Sequence, residues 1–291
     1  MCSTGNGFIL NIMKKLIYLP ILLFLGSLLV IACHDDSDDI EDTGLAAGKG
    51  RMILAFDNVV GKEDLVLDNK TYLNSFGESL TISRFNYFIS NINLLREDGK
   101  TYTIPQDSSY FRILESDPKS QIISLNKLPE GNYSGIEYII GVDSLRSVSG
   151  IEKRGGALDP SGDMAGDGMY WAWNSGYIFL KLEGSSPQSD ASNGKFYYHI
   201  GLFGGFNSPT VNNIKTVKID FGTNKAVVRG DSVPELKLIA DVEKVYNGAM
   251  PISFAKNPSI MTDPVLSAGV ANNYKSMFSL GEIKQNSQVR K

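Results

Sequence analysis

The sequence predicts an all-β fold: one antiparallel β-sandwich with long loops and a short C-terminal helix. Three observations predict it. Apolar and β-branched residues recur in short runs of period two instead of helical stripes. Turn signals such as Glu97-Asp98-Gly99 and Glu130-Gly131-Asn132 separate the runs. No internal repeat and no second linker divides the body, so residues 51–291 read as a single domain.

The elements follow in order. Residues 51–60 are apolar and β-branched, and Leu80-Thr81-Ile82-Ser83 alternates. Residues 88–95 form a second run ending at the Glu97-Asp98-Gly99 turn, with Tyr102-Thr103-Ile104 as its return strand. Residues 133–142 put Ile136, Tyr138, Ile140 and Val142 on one face. In residues 177–183, Ile178, Leu180 and Leu182 share a face, and Lys181 and Glu183 take the other. Runs at 196–200, 217–221, 226–229 and 236–242 continue the pattern, and residues 272–278 are the one helical stretch. Two segments have no period. Residues 143–168 are rich in Gly and Asp, and a loop of that length is a functional candidate. The Ser-rich residues 184–194 read as a polar connection.

The N-terminal region indicates a location. Lys14 and Lys15 precede an apolar run at residues 16–29, and Val30-Ile31-Ala32-Cys33 follows. This has the shape of a secretory signal with a small residue before the cleavage point, and it is short for a membrane span. The cysteine makes it resemble a bacterial lipoprotein signal, which implies cleavage before Cys33, a lipid on Cys33 and a membrane attachment through that anchor. Residues 1–32 are then a signal peptide, with residues 1–12 a start-site artefact before Met13. Residues 33–50 are an acidic tether carrying Asp35, Asp36, Asp38, Asp39, Glu41 and Asp42, a like-charge run that stays solvated. An acidic tract directly after such a cysteine resembles the surface-export signal of Bacteroidota lipoproteins. It implies an outer-membrane, surface-exposed protein, or otherwise one facing the periplasm.

Composition removes several function classes. A net charge of −4 gives no footprint for nucleic acid. Cys2 and Cys33 are the only cysteines, so the body has neither a disulfide nor a thiolate metal site. His199 is the only histidine beyond His34, which excludes a histidine-rich cage within one subunit. There is no phosphate loop, zincin helix, Gly-x-Ser-x-Gly elbow or nucleophile triad, so the chain does not read as an enzyme.

Both tryptophans fall in Met169-Tyr170-Trp171-Ala172-Trp173-Asn174-Ser175-Gly176. An extended chain there points Met169, Trp171 and Trp173 to one face. The plain reading of such a stripe is core packing. The wider pattern says more. Gly141-Val142-Asp143, Gly156-Ala157-Leu158-Asp159-Pro160, Gly168 through Tyr177, and Tyr198-His199-Ile200-Gly201 follow one another in an order that resembles the MbnP-like copper-binding family. Residues 84–91, Asn273-Tyr274 and Met277-Phe278 also resemble it.

The resemblance implies an envelope or secreted protein associated with copper uptake. It implies that Trp171 or Trp173 can be oxidised to kynurenine and can bind copper together with histidine, and that a di-haem peroxidase of the MauG type is the partner. His199 matches the histidine of the His-x-Gly motif. Cu(I) accepts soft ligands and imidazole, so Met169, Trp171, Trp173 and His199 are the candidate site. The departure is that the family's sites use more than one histidine and this body has one. Two other readings stand beside this one. Asp159, Asp163 and Asp167 are oxygen donors spaced by four for Ca²⁺, without the alternation of an EF-hand. Alternatively, metal binding has been lost, and the aromatic residues form a non-enzymatic surface module for a glycan or peptide.

Overall fold

The computed structural model describes residues 48–161, 167–171 and 176–286. The signal peptide, Cys33, Asp163 and Trp173 lie outside the described residues.

Strand β1 (Gly50–Val60) is followed by the short β2 (Glu63–Asp64) and β3 (Thr71–Leu73), then by the longest strand, β4 (Ser79–Arg96). β5 (Thr101–Thr103), β6 (Tyr110–Leu114), β7 (Ile122–Leu128) and β8 (Gly131–Ile140) come next. A one-turn helix α1 (Ser144–Ser147) opens the long loop, which returns through β9 (Tyr170–Trp171) into β10 (Gly176–Ser185) and β11 (Lys195–Gly201). The chain closes with β12 (Lys215–Asp220), β13 (Ala226–Val228), β14 (Glu235–Asp241), α2 (Glu243–Tyr246), β15 (Ser259–Ile260), α3 (Pro264–Tyr274) and β16 (Phe278–Lys284).

Two sheets pack into a sandwich. The smaller has the order β16-β14-β1, with β2 and β7 also on β1. The larger has the order β12-β8-β4-β10-β11-β15, with β3, β5 and β6 on β4, β9 on β10 and β13 on β8. The ladders between described strands are antiparallel except β1 with β14 and β11 with β15. Apolar residues from both sheets form one core between them. Its centre is aromatic: Phe56 of the smaller sheet meets Tyr87 and Tyr138 of the larger edge-on, and Phe278 meets all three, with ring centroids 5.4–6.3 Å apart. Edge-to-face contacts of this kind add to the stabilisation from burial.

The observed elements refine the sequence expectations. Residues 80–83 and 88–95 belong to one strand, β4, because Phe85 and Tyr87 continue the inward alternation between them. β4 bends at Asn91, which has a positive φ of 52° at a register shift. The helix expected at 272–278 instead spans Pro264–Tyr274, and Phe278 begins a strand. Its start is set by Asp263, whose carboxylate accepts from the N–H groups of Val265 and Leu266, with Pro264 in the first turn. Ile178 does not share a face with Leu180 and Leu182, because a bulge between Ile178 and Leu180 turns it to the outer layer.

A buried polar chain crosses the sandwich beside this core. The Tyr87 hydroxyl donates to Asn58 Oδ1 at 2.9 Å, and Asn58 Nδ2 donates to Glu115 at 2.8 Å. Burial, aided by the charges of Asp64 and Asp57 and opposed by the Asn58 hydrogen bond, pushes the Glu115 carboxyl up to about 7. Because the folded value exceeds the unfolded one, the folded state binds the extra proton. Stability from this group is therefore present at low pH and lost as the pH rises through 7. Glu115→Gln keeps the acceptor for Asn58 without the charge. We expect it to stabilise the protein at pH 8 by about 2 kcal/mol, to raise Tm there by roughly 4–8 °C, and to have little effect at pH 5, as read by thermal melts across pH.

Candidate functional site

The larger sheet has a second, outer face. Phe85 and Tyr87 of β4, Leu180 and Leu182 of β10, and Phe196, Tyr198 and Ile200 of β11 point into the core. The residues between them point outward: Arg84, Asn86 and Phe88; Phe179, Lys181 and Glu183; Tyr197, His199 and Gly201. Register aligns Asn86, Lys181 and His199 in one cross-strand row, and Arg84, Glu183 and Tyr197 in the next.

One end of this outer face is dry. Phe88, Phe179 and Tyr177 form a second apolar cluster with Val142, Leu158, Met169, Trp171, Leu202 and Phe203. The long loop reaches it through several anchors. Asp143 caps α1 by accepting from the Arg146 N–H and also accepts a hydrogen bond from the Tyr110 hydroxyl. Arg154 donates to the carbonyls of Ser147 and Ser149 and to the Tyr170 hydroxyl, and lies over the rings of Tyr170 and Tyr177. The Tyr177 hydroxyl donates to the Leu158 carbonyl.

Met169 is fully buried in this cluster, and Trp171 is 7% exposed. A side chain at Gly201 would place its Cβ 2.8 Å from the Trp171 ring and 2.5 Å from the Tyr177 carbonyl oxygen. The glycine of the His-x-Gly motif is thus the floor on which the indole rests. His199 lies two residues before Gly201 on the same face, about 7 Å along the strand. The structure therefore brings Trp171 and His199 to one face and buries Met169 in the same cluster as Trp171.

Where the dry layer ends, charges take over. His199 Nε2 and Glu183 Oε1 are 2.7 Å apart. An ionised carboxylate only accepts, so Nε2 carries the proton and Nδ1 holds the ring's lone pair in the neutral tautomer. Lys181 Nζ lies 3.8 Å from Glu183 Oε1, and Arg84 Nε lies 3.5 Å from Oε2. The His199 hydrogen bond first, then the charges of Lys181 and Arg84, hold the Glu183 carboxyl below the usual carboxylate range, and burial opposes them. Burial lowers the Lys181 ammonium. Asn86, 3% exposed, leaves its Oδ1 without a hydrogen-bond partner.

Sequence reasoning placed Lys181 and Glu183 on the outward face but did not connect them to His199, because pairing across β10 and β11 depends on register. Of the three carboxylates read for Ca²⁺, Asp163 lies outside the described residues, Asp167 pairs with Arg112 at 3.1 Å, and Asp159 accepts from Ser161. Among the described residues, no group of three His, Cys, Asp or Glu side chains could hold a metal ion.

Gly201→Val should push Trp171 off its seat. We expect a loss of about 1–3 kcal/mol and a red shift of tryptophan emission, with the far-UV circular dichroism of a β-sandwich retained.

The MbnP family model matches residues 49–262. Among solved structures, MbnP from Methylosinus trichosporium is similar in fold, with 14% identity, a TM-score of 0.51, and coverage of 79% of this chain and 98% of that one. No curated protein matches. With this match spanning β1 to β15, the chain belongs to the MbnP family.

Proposed function

We propose that this protein is a non-enzymatic, lipid-anchored envelope protein that binds a single soft copper ion on the outer face of its larger sheet, with His199 as its one imidazole ligand. The observation that carries the reading is the 2.7 Å bond between His199 Nε2 and Glu183, on the face where Trp171 is seated. A carboxylate on one ring nitrogen is how proteins fix the tautomer and orientation of a ligating imidazole. It leaves Nδ1 as the donor to the metal. The Met169 thioether and an oxidised Trp171 or Trp173 are the further donors, soft enough for Cu(I). Copper at this site would be cargo held in a low-coordinate, partly apolar setting. A MauG-type di-haem peroxidase is the proposed agent of tryptophan oxidation.

One observation favours a second reading, a metal-free module for a glycan or peptide. Arg84 and Lys181 share the carboxylate that His199 uses, so the row is rich in positive charge before any metal arrives.

Intact mass and metal content of mature protein from its native host test the two. The copper reading expects about one equivalent of copper per chain, lost in His199→Ala and weakened roughly 10–100-fold in Glu183→Gln, with a tryptophan mass shift matching kynurenine. Unmodified tryptophans and no copper after loading would overturn it in favour of the second reading.

A further inference from the structure

The chain leading into Trp171 meets the sheet through a short ladder. Among the described residues, β9 pairs with β10 at Trp171 with Gly176 and at Tyr170 with Tyr177, and the Met169 carbonyl accepts from the Ile178 N–H at 2.9 Å. A ladder that short does not fix its own position. Further contacts lie just before it, at Asp167, whose carboxylate pairs with Arg112. Lys181 Nζ and Arg84 Nη1 both donate to the Asp167 carbonyl, at 3.0 and 3.1 Å. Gly168 follows with φ +59°, and a Cβ there would stand 2.9 Å from Lys181 Nζ. The turn therefore suits glycine both in conformation and in the room it leaves for the ammonium.

Those two cations serve a second partner. The same Lys181 and Arg84 flank the two oxygens of Glu183, the carboxylate bonded to His199. Lys181 is 4% exposed. An ammonium that deep needs its partners fixed, and the Asp167 carbonyl and Glu183 carboxylate are those partners.

We propose that Lys181 and Arg84 are positioning residues, which set the rest position of Trp171 against the His199 face by gripping the Asp167 carbonyl, and which tie that position to the carboxylate that orients His199. This rests on the reading of the outer face as the binding site, but its test needs no metal. Removing the donors leaves the carbonyl unsatisfied and loosens the turn that leads into Trp171, while the Arg112–Asp167 pair and the Ile178–Met169 backbone bond keep the segment on the sheet.

Trp171 and Trp173 are the only tryptophans, so in a Trp173→Phe background Trp171 is the sole emitter. Acrylamide quenching is measured on metal-free protein. Lys181→Met should raise the quenching constant at least about two-fold through local opening, with far-UV circular dichroism unchanged, and Lys181→Arg should restore it. Arg84→Gln, at a half-exposed side chain, should act in the same direction more weakly, and Tyr197→Phe on the same face should have no effect. Parent-level quenching in both Lys181→Met and Arg84→Gln, with the fold intact, would overturn the proposal. If Lys181→Met does not fold, Arg84→Gln against Tyr197→Phe decides. A parent that takes up no copper would count against the proposed function and leave this result standing.

Discussion

The central strands of the larger sheet are covered on both faces, and the organisation of the site follows from that constraint. β4, β10 and β11 turn one set of side chains into the sandwich core and the other into an outer layer that is dry at one end. No strand of the smaller sheet covers that outer layer, and residues 143–161 and 167–171 pack on it instead. This cover has to satisfy its own backbone, which is why Arg154, Asp143 and Tyr177 make so many main-chain contacts. At the edge of the dry layer, the outward positions become polar while still nearly buried. Groups there must be paired with one another, and Glu183 becomes the shared partner of His199, Lys181 and Arg84.

The family match stops at residue 262, yet the sandwich does not. α3 and β16 follow it. β16 supplies the edge strand beside β14, and Phe278 places its ring against Phe56, Tyr87 and Tyr138. The last described segment thus closes the aromatic centre that joins the two sheets. At 14% identity, likeness to a solved relative shows the fold alone.

Much of the fold was legible because alternation survives wherever one face is core. The runs at 133–142, 196–200 and 236–242 all correspond to strands at nearly those positions. Less legible were places where local chemistry was overridden or hidden. The bulge beside Ile178 inverts a face, and the glycine opposite it, Gly201, is brought there only by strand pairing. The helix start at Asp263-Pro264 carried a clear capping signal that the apolar stretch further on obscured. Of the site, the tryptophan segment and His199 stood out by rarity, and the role of Gly201 can be read only once the indole is seen above it. The Glu183 cluster was invisible in one dimension, since Arg84, Lys181 and His199 are joined by strand register.

In the proposed copper reading, the same cluster also argues for an oxidation state. Arg84, Lys181 and Arg112 outnumber Glu183 and Asp167 on this face. A nearby positive charge opposes an ion in proportion to the charge of that ion. A divalent ion meets twice that opposition, and it gains least from a thioether and a single imidazole. A monovalent soft ion meets half of it and matches the donors. Glu183 offsets part of the repulsion, but its oxygens already serve His199, Lys181 and Arg84, so it acts better as an orienting partner than as a ligand. Selection between ions at this face would then come from the charge of the row beneath as much as from the number of donors, which is how a chain with one body histidine could still discriminate.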